Sequence, residues 1–226
     1  MYDDVIFDWH GTLAKTKDVV VYSFQQVLKE KKIDVTQEFI TERLGTSARE
    51  VLREILKSSG CEYNEALLNE LVQKRIDAEI EKSSEVKLND GALDLLEALK
   101  GKVKLGLASM NNRQVVDHSI ESCGLKGYFE VINSIDEVEN PKPHPEIFQK
   151  TASKLLVSPK KCVVFEDSIY GIRAAKSAGM ACIAVITDSF SKDQITKENP
   201  DLIISSLTQK KKILDFLYQS DSHWDY

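Results

Sequence analysis

The stretch that most constrains the fold is Val5-Ile6-Phe7-Asp8-Trp9-His10-Gly11-Thr12-Leu13. Three apolar residues run directly into an aspartate, and a Gly-Thr pair then ends the run. A short apolar run bounded by a turn signal predicts a buried strand. Ligands of open α/β sheets bind beyond the carboxyl ends of the strands, where Asp8 would lie. Taken alone, the same pattern is also typical of an aspartate that caps a turn, so residues elsewhere in the chain must decide between the two.

Length, composition and charge limit the class of protein. The chain has 226 residues, of which 42% are hydrophobic and 29% are charged, as in ordinary globular proteins. That length suits one large domain, or one domain that carries a sizeable insertion. The net charge of -6 argues against a nucleic-acid partner, because proteins that bind nucleic acids usually carry a basic excess.

The sequence also bears on location. No apolar stretch approaches the roughly 20 residues needed to span a bilayer, and no signal-peptide pattern is visible. The four cysteines are scattered and lack the spacing of metal ligands. We therefore expect reduced thiols, no membrane partner and a cytoplasmic location.

The middle of the first half is helical. Between about residue 18 and residue 83 the apolar spacing has a helical period, and no convincing strand is found. Helix starts are indicated by Thr36, by Asn64 and by Ser47, the last with Glu50 at capping-box spacing. About 65 helical residues are too many for a simple connection between two strands. We expect an inserted helical domain at 16–85 and an α/β core formed by 1–15 and 86–226.

From residue 89 onward strands alternate with helices. This order predicts right-handed βαβ units and a doubly wound, mainly parallel sheet. The predicted strands are 5–7, 103–108, 128–133, 162–165, 182–186 and 202–204, and the predicted helices are 92–99, 112–123, 146–156, 169–179 and 207–218.

Polar residues follow several of these strands. Asp8, Ser109 and the Glu166-Asp167 pair each lie just past a strand, and Lys142 lies in a strand-to-helix connection. In a doubly wound sheet such positions converge on one crevice, so they predict a single site. Plainer interpretations stay open, since Ser109 or the acidic pair could cap a helix and Lys142 could be a solvated loop residue.

In chain order, these residues resemble the four motifs of the haloacid-dehalogenase-like (HAD) hydrolases. The matching residues are Asp8 to Thr12, Ser109, Lys142-Pro143 and Glu166-Asp167-Ser168. The runs 142–148 and 165–172 are similar to the subgroup that contains β-phosphoglucomutase and phosphoglycolate phosphatase. The resemblance covers nearly the whole chain. It implies a Rossmann-like HAD core whose helical insertion is a C1-type cap domain.

The resemblance also implies a reaction. The chain would be a phosphatase that forms an aspartyl-phosphate on Asp8, with Mg²⁺ as cofactor and a small phosphorylated metabolite as substrate. It would act as a monomer or weak homodimer. The implied catalytic residues are Asp8, His10, Ser109 and Lys142; the implied substrate-binding residues are Gly11, Thr12, Asn111 and Arg49; and the implied metal ligands are Asp8, the His10 carbonyl, Glu166 and Asp167.

His10 departs from the family pattern. The phosphatases and phosphomutases of the family carry a second aspartate at this position, which protonates the leaving oxygen and then activates water. Three interpretations stay open. His10 takes over the acid/base role; the leaving group needs no acid, as in phosphonates; or the chain is a catalytically weak binding protein. We favour a Mg²⁺-dependent phosphatase, in which His10→Asp should raise turnover or leave it similar.

Three neighbouring chemistries of the family fit the sequence less well. Dehalogenase chemistry is the weakest, because those enzymes work without a metal and Glu166-Asp167 suits Mg²⁺. A phosphonatase would need a cap lysine for a Schiff base, and a mutase would need a second phosphate site; neither is evident in the sequence. Arg49 resembles a cap residue that contacts a distal anionic group of sugar phosphates, although it could equally be an ordinary exposed helical arginine.

Overall fold

The computed structural model describes residues 2–218, with strands and helices that alternate through most of the chain. The strands are β1 Asp4–Phe7, β2 Ala14–Lys15, β3 Lys87–Leu88, β4 Lys104–Ala108, β5 Val131–Asn133, β6 Cys162–Glu166, β7 Ala181–Val185 and β8 Leu202–Ile204. The helices are α1 Lys17–Lys29, α2 Gln37–Thr41, α3 Ala48–Ser58, α4 Glu65–Glu81, α5 Ala92–Leu99, α6 Arg113–Ser122, α7 Glu146–Leu155, α8 Ile169–Ser177, α9 Lys192–Lys197 and α10 Lys210–Tyr218.

Six strands form one parallel sheet in the order β5-β4-β1-β6-β7-β8. The chain builds outward from β1 to β5 and then crosses to β6 on the other side of β1. In open α/β sheets a reversal of this kind leaves a crevice beyond the carboxyl ends of the central strands. The doubly wound fold expected from the sequence is confirmed, and its crevice lies at the end of β1.

The central strands are buried on both faces. In β1, Val5 and Phe7 face one hydrophobic cluster and Ile6 faces the other. Side chains alternate across a strand, so a strand covered by helices on both faces reads as a continuous apolar run. Phe7 stacks on Phe165 of the neighbouring strand at 4.6 Å between ring centroids. This packing holds the ends of β1 and β6 side by side.

Helices α1 to α4 carry a third hydrophobic cluster, which includes Phe24 and Leu52. The predicted caps Thr36 and Asn64 are confirmed, because their side chains accept from the N–H groups of Phe39 and Leu67. The capping box predicted at Ser47 is wrong. Ser47 does precede α3, but its side chain makes no capping bond, and the carboxylate of Glu50 pairs with Arg53 instead.

Two short strands join the helical region to the sheet domain. β2 and β3 pair antiparallel, Ala14 opposite Leu88 and Lys15 opposite Lys87. The side chain of Asn89 donates to the carbonyls of Gly11 and Thr12, at 2.5 and 2.9 Å. The sequence did not predict this ladder, because two-residue strands carry no periodicity. None of the helices within residues 2–218 combines the length and apolar character required to cross a bilayer.

Candidate active site

Lys142 joins the ends of three neighbouring strands. Its Nζ donates to Asp8 Oδ1 at 2.7 Å, to Glu166 Oε1 at 2.6 Å and to the carbonyl of Ala108 at 3.3 Å. An ammonium group has three donors, so all of them are used. The side chain has no exposed surface. Lys142 is therefore a buried counter-ion of the strand ends, and its interpretation as a solvated loop residue is wrong.

Glu166 ends β6, Asp167 follows it, and both face the same crevice. Glu166 Oε2 accepts from the backbone N–H groups of Asp167 and Ser168, both at 3.0 Å, and from the Ser168 hydroxyl at 2.9 Å. With Lys142 on its other oxygen, Glu166 is fully bonded by the chain itself. Asp167 Oδ2 accepts from the Thr187 hydroxyl at 3.0 Å. The backbone of Gly11, at φ +80°, lies close against the Asp167 carboxylate. A Cβ at this position would lie 2.0 Å from Asp167 Oδ2, so glycine is needed for the contact.

The three carboxylates form what we call the acidic cluster: Asp8, Glu166 and Asp167. All are buried, and one oxygen of each lies within 4.8 Å of one oxygen of the others. Burial raises the pKa of Asp8 to about 7; Lys142 opposes the shift and Glu166 adds to it. Burial also raises the pKa of Asp167, with further repulsion from Glu166 and Asp8. Three buried carboxylates against one lysine leave an excess of negative charge, which fits a divalent cation with oxygen ligands.

His10 lines the same chamber as Asp8, and both of its ring nitrogens are engaged. Nδ1 is 2.9 Å from Thr16 Oγ1, and Nε2 is 3.1 Å from Asn111 Nδ2. Burial lowers the pKa of His10 to about 4; Glu79 opposes the shift, while Arg75 and Lys142 add to it. The imidazole is therefore neutral at neutral pH.

Comparison with known proteins agrees with this geometry. Residues 5–185 match the family model of the haloacid dehalogenase-like hydrolases. The chain belongs to this family. A phosphorylated carbohydrates phosphatase from Thermotoga maritima is 33% identical over 190 residues, which is 83% of this chain and 86% of that protein. The pyrophosphatase PpaX of Bacillus pumilus is 28% identical, over 90% and 92% of the two chains.

The fold of the HAD hydrolase also matches solved structures. A crystal structure of β-phosphoglucomutase from Clostridium difficile superposes with a TM-score of 0.86 at 25% identity, and the match covers 97% of this chain and 98% of that one. The HAD family and the fold expected from the motifs are thus confirmed, and the chain is a HAD-family hydrolase.

Most of the residues singled out by sequence lie together in the crevice. Ser109 is fully buried and its hydroxyl accepts from the N–H of Asn111 at 3.2 Å. The hydroxyl of Thr12 points to Asp167 Oδ1 at 3.5 Å. The backbone N–H of Gly11 donates to the Ala14 carbonyl at 2.9 Å, within the turn. Their proposed contacts with a phosphate group stay predictions.

Arg49 is the residue that the structure does not bring to the crevice. Its guanidinium donates to Asn69 at 2.6 Å and pairs with Glu65, so it bridges α3 and α4 on the outer surface of the helical region. It does not line the chamber next to Asp8. The proposed contact with a distal anionic group stays a prediction, and this placement gives it no support.

The helical region covers Asp8. A small chamber of about 40 Å³ lies against Asp8 and His10, and most of its remaining walls are apolar: Val20, Phe24, Ile40, Leu44, Val51 and Met110. Outside it runs a wider, charged groove of about 680 Å³ that reaches Lys142 and Tyr170. Arg43 and Thr46 border both spaces. Asp8 lines the small chamber, and Lys142, which bonds Asp8, lines the wider groove.

Sequence reasoning missed two charged residues of the site. Arg75 and Glu79 of α4 are buried, at 3% and 2% exposure, and their ion pair faces Asn111. A signal was present in the sequence. Leu68, Leu71, Arg75 and Glu79 are spaced by three, four and four residues, so the two charges continue an apolar helix stripe. Charged residues on such a stripe indicate a buried polar contact.

Proposed function

We propose that this HAD hydrolase is a Mg²⁺-dependent phosphatase that transfers the phosphoryl group of a small phosphorylated metabolite to Asp8 and then to water. The observation that carries the proposal is the buried acidic cluster held by Lys142, with three carboxylates and one cation. The names of its curated relatives, which include a phosphorylated carbohydrates phosphatase and a pyrophosphatase, support the reaction class.

Each group of the site has a task in this proposal. Asp8 attacks phosphorus, and Lys142, which bonds one of its oxygens, favours the ionised nucleophile. Asp8, Asp167 and the carbonyl of His10 would hold Mg²⁺. Glu166, whose oxygens are already bonded, would act through water. When bound, the ion would neutralise charge on the phosphoryl group.

We further propose that residues 16–85 are a cap domain on a core formed by residues 1–15 and 86–226, of which residues beyond 218 lie outside the described part. The cap's own hydrophobic cluster and the β2–β3 ladder at its two connections support this division. Because the chamber lies under its helices, the cap would exclude water during transfer to Asp8.

The protonation state of His10 limits which kinds of leaving group suit the site. Because burial lowers the pKa of His10 to about 4, the imidazole is unprotonated at neutral pH and is a poor proton donor. It suits activation of water against the aspartyl-phosphate better than protonation of a sugar oxygen. Leaving groups that depart without a proton fit this site, so a phosphoric anhydride such as pyrophosphate is a second candidate substrate.

Phosphonatase and mutase chemistry have less support. Among the residues described, no lysine lines the chamber beside Asp8, so nothing there would form the Schiff base that a phosphonatase needs. A mutase would need a second phosphate site, and Arg49, the cap residue that resembles a distal-anion contact, faces Glu65 and Asn69. Monomeric or weakly dimeric state and cytoplasmic location stay predictions.

Hydrolysis of an aryl phosphate and of pyrophosphate, each with Mg²⁺ and with EDTA, tests the proposal. We expect metal-dependent turnover that Asp8→Asn lowers by about 10⁴-fold or more, since the nucleophile is lost. His10→Asp should keep turnover similar or raise it, most of all with alkyl phosphates, whose leaving oxygen needs a proton. Turnover that survives Asp8→Asn, or that is unaffected by EDTA, would rule the mechanism out.

A further inference from the structure

A second buried ionic group lies next to the acidic cluster, and the reaction described above does not use it. Arg75 and Glu79 stand one turn apart on α4, and Arg75 Nη2 donates to Glu79 Oε1. We call them the α4 pair. Among the residues described, Arg75 Nε and Nη1 have no hydrogen-bond partner, although both atoms are buried. A buried ion pair with unmet donors is a poor way to stabilise a fold, so its presence needs another explanation.

The α4 pair reaches His10 through one amide. Asn111 Nδ2 donates to Glu79 Oε2 and lies 3.1 Å from His10 Nε2. Asn111 Oδ1 accepts from the backbone N–H of Asn112 at 2.8 Å and from Arg75 Nη2 at 3.4 Å. A carboxylate can only accept, and a guanidinium can only donate. Together with the Asn112 N–H, the two charges therefore determine which end of the Asn111 amide faces His10: it is the NH₂ end.

The amide in turn determines the tautomer of His10. Because Asn111 donates to Nε2, that nitrogen carries a lone pair. The ring proton is then on Nδ1, where it is donated to Thr16 Oγ1 at 2.9 Å. The one lone pair of the ring nitrogens is thus on Nε2, where it accepts from Asn111. Without Glu79 the Asn111 amide could turn over, present its oxygen and favour the opposite tautomer.

The contact exists only in one arrangement of the two regions. Glu79 belongs to α4 of the helical region, whereas Asn111 belongs to the loop that follows β4 of the sheet. The bond between them requires α4 to lie against that loop. When the helical region covers Asp8, His10 is therefore held in the Nδ1–H tautomer.

We propose that Glu79, with Arg75, is a positioning residue that sets the tautomer and orientation of His10 through Asn111 when the helical region is closed over the site. The proposal rests on the proposed function, because it assigns His10 a task in the hydrolysis of the aspartyl-phosphate. Its structural content, the tautomer of His10, can be measured without any turnover.

The first test is ¹⁵N NMR of imidazole-labelled protein at neutral pH, which distinguishes Nδ1–H from Nε2–H. His118, His144 and His223 serve as internal references, and His10→Gln assigns the signals of His10. We expect the wild-type protein to show Nδ1–H and Glu79→Gln to show a mixture, since a glutamine can present either end to Asn111. A wild-type His10 with Nε2–H would overturn the proposal.

The second test is kinetic. Glu79→Gln should lower kcat by about 10- to 100-fold, the usual cost of removing an outer contact that orients a working histidine, with KM little changed. Glu81→Gln is the matched control, because Glu81 is exposed on the same helix, and it should behave as wild type. Equal losses in both variants, or a loss confined to KM, would contradict a positioning role.

A further variant separates positioning from folding. Glu79→Gln leaves Arg75 as a buried, unpaired charge and could unfold the protein for that reason alone. The double variant Arg75→Met/Glu79→Leu replaces the pair by apolar groups and should fold at least as well. We expect it to lose kcat and the single tautomer together. Wild-type kcat and an unchanged tautomer in this variant would refute the proposal, whereas an inactive wild-type enzyme with the expected tautomers would refute only the proposed function.

Discussion

Two buried ionic groups lie on either side of His10 and Asn111 in this protein, and they differ in charge balance. The acidic cluster has three carboxylates against the cation of Lys142, and it lies at the carboxyl ends of parallel strands. The α4 pair has one cation and one anion, and it lies on the buried face of a helix. His10 and Asn111 stand between them.

The difference indicates two distinct uses of buried charge. A cluster with uncompensated charge raises the pKa of its own carboxylates and binds a cation readily, so it suits chemistry on an anionic substrate. A balanced pair gains little stability and attracts no ion, yet here it helps to orient the amide of Asn111. In the proposed function the first kind of group takes part in the reaction, and the second kind holds a reacting group in place.

The largest expected effect comes from removal of Lys142, the cation of the acidic cluster. Lys142→Met would leave three buried carboxylates without this counter-ion, so we expect a loss of about 3–5 kcal/mol in the free energy of unfolding without Mg²⁺. We also expect activity to fall by about 10³-fold, because the charge next to Asp8 is lost. Denaturant unfolding and steady-state kinetics measure the two effects.

A compensating variant sharpens this prediction. Lys142→Met/Asp8→Asn removes one negative charge along with the positive one, and it should recover part of the lost stability but none of the activity. If Lys142→Met were as stable as the wild-type protein in EDTA, the acidic cluster would not carry the excess charge that separates it from the α4 pair.

A smaller effect is expected in the pH dependence of stability. The pKa of Asp8 is raised from 3.8 to about 7, so between these values the folded chain holds a proton that the unfolded chain has released. Since the folded state binds more protons in this window, the stability contributed by Asp8 falls as pH rises from about 4 to 7. Asp167 acts in the same direction.

Mg²⁺ should reverse this trend, because it binds the ionised carboxylates. At a concentration 100 times its Kd, a ligand adds about 2.7 kcal/mol, or about 5–10 °C in Tm for a chain of this size. We expect nearly that increase at pH 8 and much less at pH 5. Asp8→Asn without metal should have a higher Tm than wild type at pH 8 and a similar Tm at pH 4. Equal increments at both pH values would contradict the assignment.

The contrast between the two groups also explains what the sequence predicts. Asp8, Lys142 and the Glu166-Asp167 pair could be found because strands of one parallel sheet end at one edge, so position in the chain implies position in space. The buried ion pair of Lys142 with Asp8 and Glu166 follows from the same convergence. The order of the motifs then identified the family.

The α4 pair was missed for a physical reason. Charged residues on a helix are usually solvated, and only tertiary packing decides whether a helix face that carries them is buried. The shortest strands and helices were missed for a different reason. β2 and β3 have two residues each, and α9 has six, so none of them offers enough residues to show a period. The capping box at Ser47 failed because a competing partner, Arg53, was available to Glu50 one turn further on.

The smallest expected effect concerns a third ion pair, which lies on the surface of the same helices. Arg49 pairs with Glu65 as Arg75 pairs with Glu79, but the Arg49 pair is exposed to solvent, where such contacts contribute little. Arg49→Ala should change Tm by less than about 2 °C and leave KM unchanged for sugar phosphates, aryl phosphates and pyrophosphate. Arg75→Ala is the matched variant, since it removes the same side chain from the same helical region but leaves Glu79 buried and alone. It should lower the free energy of unfolding by about 3–5 kcal/mol.

A selective rise of KM for sugar phosphates in Arg49→Ala would instead place Arg49 in contact with the substrate. That result would mean that the helical region rearranges on binding, because Arg49 now faces Glu65 and Asn69.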